Sequence, residues 1–212
     1  MKTSSSSNIG WLLIVLAIVA IIGLVFITLY YSFSDSFGQP FGALDDKVVA
    51  LGGILNGVLV LLMYPFHRSY APRASRFALA SGLIGACLVP FGVRLVVYDV
   101  TGWILSSLVS TFGFALIGIW LLSFNYSTLH GLAFPRHLAQ FGMIAGSVMA
   151  IGVLAFPGIV ARTDLMFTAK WYVLIALYVG GLGWNILYTI WCIWFGRLLL
   201  SKRLILQVDK TS

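Results

Sequence analysis

Between Trp11 and Tyr31 the chain runs for 21 residues (31 − 11 + 1) without a charged side chain. About 20 apolar residues are what a helix needs to cross the hydrocarbon core of a bilayer. Comparable apolar stretches follow at about 47–66, 76–98, 103–125, 138–156 and 171–195. Only 9% of the residues are charged and 60% are hydrophobic, whereas about a quarter of a soluble domain is charged. With a mean hydropathy of +1.02, lipid is the solvent in which such a chain can fold. The expected fold is therefore all-α: one polytopic domain over residues 1–212 with six transmembrane helices. The first run is too long for the core of a signal peptide, about 7–15 residues, and it ends in Tyr30-Tyr31-Ser32-Phe33 rather than at a small-residue cleavage site.

The connections are short and carry the charge. His67-Arg68-Ser69-Tyr70-Ala71-Pro72-Arg73 joins the second and third runs, and His130-Gly131-Leu132-Ala133-Phe134-Pro135-Arg136 joins the fourth and fifth. Six spans put every second connection on the same side. With both termini cytoplasmic, the inside set is Lys2, Arg68, Arg73, Arg76, Arg136, Arg197, Lys202, Arg203 and Lys210, nine cations. Lys47, Arg94, Arg162 and Lys170, four cations, fall outside. Cytoplasmic loops carry the excess of Lys and Arg, so the expectation is a multi-pass protein of the cytoplasmic (inner) membrane with both termini inside. The net charge of +7 then reflects anionic lipid at that face rather than a nucleic-acid partner. Trp11, Trp120, Trp191 and Trp194 are expected near the inner interface, and Tyr30, Tyr31, Trp103 and Trp171 near the outer one. The tail 197–207 mixes three cations with Leu and Ile, as an amphipathic helix lying in the interface would.

The two basic turns share the pattern His, four residues, Pro-Arg, and lie 63 positions apart (130 − 67). Behind the first come Ala78, Gly82 and Ala86, and behind the second Gly142, Gly146 and Ala150, an offset of 64 (142 − 78). Small residues four apart form a stripe along which another helix can approach closely. The spacing suggests a repeated hairpin, helices two–three and four–five. Two loops that collected Pro and Arg independently are the competing explanation. Pro65 and Pro157-Gly158 read as helix ends, and Pro90 as a kink.

Candidate chemistry is sparse. No carboxylate lies in the central part of any span, which argues against an ion-coupled carrier. No histidine lies within a span, so paired haem ligation between helices is disfavoured. His67, His130 and His137 read as surface groups at the inner face, and no metal site is expected. Cys87 and Cys192 read as small buried hydrophobes. No nucleophile, zinc or nucleotide motif is present, which points away from an enzyme. Asp45-Asp46 at a helix start read first as partners of the helix dipole, with cation binding the alternative.

The ligand-binding candidates are Arg94, Asp99, Asn56, Asn185, Trp184 and Tyr188. Arg94 near the outer end of the third span either pairs with Asp99, Asp45 or Asp46 or holds an anionic or carbonyl group. Asn56 and Asn185, with Ser106, Ser107, Ser110 and Thr111, should point into the bundle, because an amide facing lipid is unsatisfied. Gly181, Trp184, Tyr188, Trp191 and Phe195 share one face of the sixth span. That face is either packing or a groove for a lipid, quinone or pigment.

In its length, its six short-looped spans and its closing Trp191-Cys192-Ile193-Trp194-Phe195-Gly196-Arg197, the chain resembles small multi-pass bacterial membrane proteins grouped as domains of unknown function. The likeness implies a helical membrane domain, no activity and no residue roles. The functional expectation from the residues is a non-catalytic module: an accessory subunit of a membrane assembly, or a binder or sensor of an apolar ligand. The alternative is an uncoupled transporter or channel with an outward-facing polar pocket. No cofactor is identifiable beyond a bound lipid or other apolar molecule. The expected partners are membrane lipids, other membrane subunits or a second copy.

Overall fold

A computed structural model of the chain describes residues 3–33, 38–129, 135–165 and 169–201. Among them the regular structure is entirely helical. Six helices are long and apolar enough to cross a membrane. They are α1 (Thr3–Ser32), α2 (Gln39–Tyr70), α3 (Pro72–Val97), α4 (Trp103–Leu129), α5 (Arg136–Val160) and α6 (Trp171–Leu200).

Each helix packs on the next in sequence, and the C-terminal half of α6 returns to α1 and closes the ring. At the closure, a Cβ placed on Gly196 would meet the Gly10 carbonyl oxygen at 3.0 Å. The start of α1 and the end of α6 therefore share one end of the bundle, called here the termini end. α4 is pressed furthest inward: 67% of its most apolar window is buried, against 33–39% in the other five.

The distribution of polarity is inverted relative to a soluble protein. Ile18, Val25, Leu61, Phe77, Ile84 and Phe91 are exposed, while Asn56, His67, Ser81, Ser106, Ser110 and Asn125 are buried. Apolar side chains cost nothing against hydrocarbon, whereas polar ones need partners that only the interior supplies.

Small residues allow close helix approach both within the hairpins and between them, where a Cβ on Gly85 of α3 would meet the Gly113 backbone oxygen of α4. A Cβ on Gly146 of α5 would lie 2.7 Å from both the Gly118 oxygen and the Leu122 nitrogen of α4. On α3, a Cβ at Gly82 would meet Val60 of α2 at 2.8 Å, and Gly57 of α2 faces Ala86. Both small-residue stripes thus lie inside hairpins, α3 on α2 and α5 on α4. Between the hairpins, Ser106 and Ser110 of α4 donate to the Gly92 and Val89 oxygens of α3 at 2.7 and 3.3 Å.

Several boundaries differ from the sequence expectation. α1 starts at Thr3 rather than Trp11, and its first turns bury Ile9 and Gly10 against α6. α2 starts at Gln39 rather than Lys47, with Pro40 in its first turn, where a missing N–H costs nothing. Pro65 does not end α2: the helix runs on to Tyr70 because Phe66 and His67 are buried, each against Phe124 of α4. Ala71 alone separates α2 from α3. α5 passes through Pro157 to Val160, tightening to a 3-10 turn over Ile151–Ala155 just before it. Pro90 is accommodated within α3.

His67 is therefore a core residue rather than a surface one, 3.1 Å from the Ser127 hydroxyl. His137 is exposed. His130 with the rest of the second basic turn up to Phe134, and the tail from Lys202 onward, lie outside the described residues. Trp120 and Trp191 are also core residues. Trp11, Trp103, Trp171 and Trp194 are exposed.

Asp164 organises the end opposite the termini. From the α5–α6 connection it accepts from the Gly102 N–H just before α4 and the Leu105 N–H in its first turn, at 2.6 and 3.2 Å. These are orphan donors at a helix start, and a carboxylate supplied from elsewhere in the chain caps them.

Candidate functional site

α1 packs against the C-terminal half of α6, whereas the N-terminal half of α6 leans on α4 and α5. The space between opens into a cavity of about 290 Å³ in the half of the bundle away from the termini, lined chiefly by α1, α2, α4 and α6.

The floor is aromatic. Trp184 stacks on Phe114 of α4 with ring centroids 3.9 Å apart and planes at 24°. Its indole fits because Gly52 faces it: a Cβ there would lie 3.2 Å from the ring. The walls are polar. Ser106, Ser107, Ser110 and Thr111 come from α4, Asn185 and Tyr178 from α6, and Asp45 and Asp46 from α2. Tyr31 and Trp103 meet edge to face at the rim, 6.4 Å between centroids. Gly181 also lines the cavity, and a Cβ added there would meet nothing within 4 Å.

Below the floor a column of rings continues toward the termini end. Trp184, Tyr188, Trp191 and Phe195 follow one another at 5.1, 5.9 and 5.1 Å. α6 is wound as a π-helix over Gly183–Tyr188. A π turn takes in an extra residue and shifts the helical phase, and the rings on either side of it form one buried file. Tyr188 donates to the Asn56 Oδ1 at 2.5 Å, and Asn56 Nδ2 donates to the Gly52 oxygen of its own helix at 2.8 Å. This buried hydrogen bond links α2 and α6.

Of the six residues singled out from sequence, Trp184 and Asn185 line the cavity. Asn56 and Tyr188 are bonded to each other beneath it. Arg94 and Asp99 are at the same end of the bundle but outside the cavity lining. Arg94 is exposed in the last turn of α3, a favourable place for a cation at a helix C-terminus, and forms no ion pair among the described residues. Asp99 is exposed in the connection after α3 with φ 52°, a left-handed conformation that Asp tolerates.

Sequence reasoning missed Asp45 and Asp46 as cavity residues. They lie six and seven residues into α2 (45 − 39 and 46 − 39), roughly 9–10 Å along its axis. That is beyond the first turn, where the helix dipole acts. Once Pro40 is read as a helix opener, this position follows. The Phe114–Trp184 stack has no signal in the sequence, because 70 residues (184 − 114) separate its partners.

The fold and the cavity define a class: among the described residues, an all-helical bundle with six helices long and apolar enough to cross a membrane and a polar-walled, aromatic-floored cavity in one half. No family model, curated protein or solved structure matches the chain.

Proposed function

We propose that this is a non-catalytic membrane protein that binds a small amphipathic molecule in the cavity between α1, α2, α4 and α6. The observation that carries the reading is the division of that cavity into an aromatic floor and a hydrogen-bonding wall. Ligand sites are concave and largely apolar, with a few polar groups that fix orientation. The rings of the column beneath the floor are buried, which favours a binder or sensor over an uncoupled transporter or channel.

Gly181→Leu is the direct test. The added side chain projects into open space, so the protein is expected to fold and purify as before. Any small molecule seen by native mass spectrometry on the gently solubilised protein should be lost. A bound molecule retained in full by Gly181→Leu would refute this site.

The membrane arrangement proposed with it is the cytoplasmic membrane with both termini inside, supported by nine cations against four. The cavity then opens toward the outer face. A phosphatase reporter fused after Gly38 should be active, and one fused after Pro72 inactive; the reverse pattern would overturn the orientation. The hairpins α2–α3 and α4–α5 are read as a repeat, supported by the two small-residue stripes. Lipid surrounds the bundle, and the apolar outer surface also suits another membrane subunit or a second copy.

A further inference from the structure

The polar wall of the cavity has a sign. Lys, Arg and His are absent from its described lining, while Asp45 and Asp46 both belong to it. Each carboxylate is half-buried, and neither has an ion-pair or hydrogen-bond partner among the described residues. Asp45 is held over Gly23 of α1, where a Cβ would lie 3.3 Å from its Oδ1. Lys47, adjacent to Asp46 in sequence, and Arg94 are both exposed and outside the lining.

A second observation concerns hydrogen-bond polarity and is independent of charge. Ser106 and Ser110 spend their hydroxyl protons on the Gly92 and Val89 oxygens of α3. Each then presents only lone pairs to a ligand. Asn185 spends one of its two Nδ2 protons on the Gly181 oxygen at 3.0 Å, which leaves its Oδ1 as an unspent acceptor beside one remaining N–H. The Ser107, Thr111 and Tyr178 hydroxyls can donate or accept, so two carboxylates, two donor-spent hydroxyls and an amide oxygen tip the wall toward accepting. The molecule that complements it donates hydrogen bonds and carries positive charge.

Resting on the proposed cavity reading, we infer that the ligand is a protonated organic amine with a compact apolar body. Its ammonium faces Asp45, and its apolar part lies on the Phe114–Trp184 floor. A carboxylate placed outside bulk water attracts an ammonium more strongly than in solution. Aromatic rings at the rim and floor also favour a cation over an anion. An inorganic cation would leave that apolar floor uncovered.

The test uses the full-length protein in nanodiscs of zwitterionic lipid, with binding measured by calorimetry against empty nanodiscs. Three probes share one phenyl ring and a two-carbon spacer: 2-phenylethylammonium, 2-phenylethanol and 3-phenylpropionate. The ammonium should bind about tenfold more tightly than the alcohol, the size of one charge-assisted hydrogen bond, and the carboxylate most weakly. Asp45→Asn should remove most of that preference while leaving alcohol binding in place. Asp45→Glu should keep it, and Gly181→Leu should abolish binding of both. If Asp45→Asn does not fold, the probe series on the unaltered protein still decides. Equal binding of ammonium and alcohol, both lost in Gly181→Leu, overturns the amine inference and leaves the cavity reading intact. Binding of no probe, or binding indifferent to Gly181→Leu, overturns both.

Discussion

Gly146→Ala is expected to destabilise the protein severely, while the chemically identical Gly181→Ala is expected to be neutral or slightly stabilising. The new methyl at position 146 would sit 2.7 Å from two backbone atoms of α4, Gly118 O and Leu122 N. Backbone cannot rotate aside as a side chain can, so α4 and α5 must separate and lose dispersion contact along their length. Overpacking of a side-chain core costs about 1–3 kcal/mol, and a backbone obstacle belongs at or above the top of that range. In lipid, close packing is a principal force holding helices together. At Gly181 the same methyl meets open cavity, and alanine is the better helix former by about 1 kcal/mol. Thermal unfolding in mild detergent separates the two. Equal melting temperatures for the two variants would refute the close approach of α4 and α5.

Trp184→Ala should destabilise the protein measurably. The indole is buried, stacks on Phe114 and Tyr188, and faces Gly52. Truncating a buried aromatic costs roughly 3–5 kcal/mol, through lost contacts and the void left behind. Part of the floor of an existing cavity would go with it, so the low end of that range is expected. The check is the loss of near-ultraviolet circular dichroism at a lower temperature than in the unaltered protein. Trp171→Ala serves as the control, since that ring is exposed and should move the transition little. A Trp184→Ala protein as stable as Trp171→Ala would mean that the stack does not hold the bundle together.

Asn56 and Tyr188 show how far the sequence could be followed. An amide in the middle of an apolar helix must point inward, and a tyrosine on an otherwise apolar face must find a partner; both statements need only the chain. That each satisfies the other across 132 positions is a property of the fold. His67 failed in the opposite direction. Its place beside Arg68 and Pro72 suggested a loop, but α2 continued through Pro65 because Phe66 and His67 had rings to pack against on α4. Proline's cost is local, and buried aromatic contact outweighed it. Asp45 and Asp46 were visible as acids near a helix start, yet a shift of two turns in that start changed them from capping groups into cavity wall.

What the chain determined alone is the architecture. Six predominantly apolar runs of helical length point to helices in lipid, since a helix is the one open structure that satisfies its own backbone there. The face of α6 that turns inward was legible too, because a regular spacing of Trp, Tyr and Phe is a local pattern. Only the tertiary structure decided where a molecule could be held. The cavity exists because α6 leaves α1 partway along its length, and its character depends on which protons Ser106, Ser110 and Asn185 have already spent. Divergence of helices and allocation of hydrogen bonds are relations between distant segments, and the order of residues along one helix does not encode them.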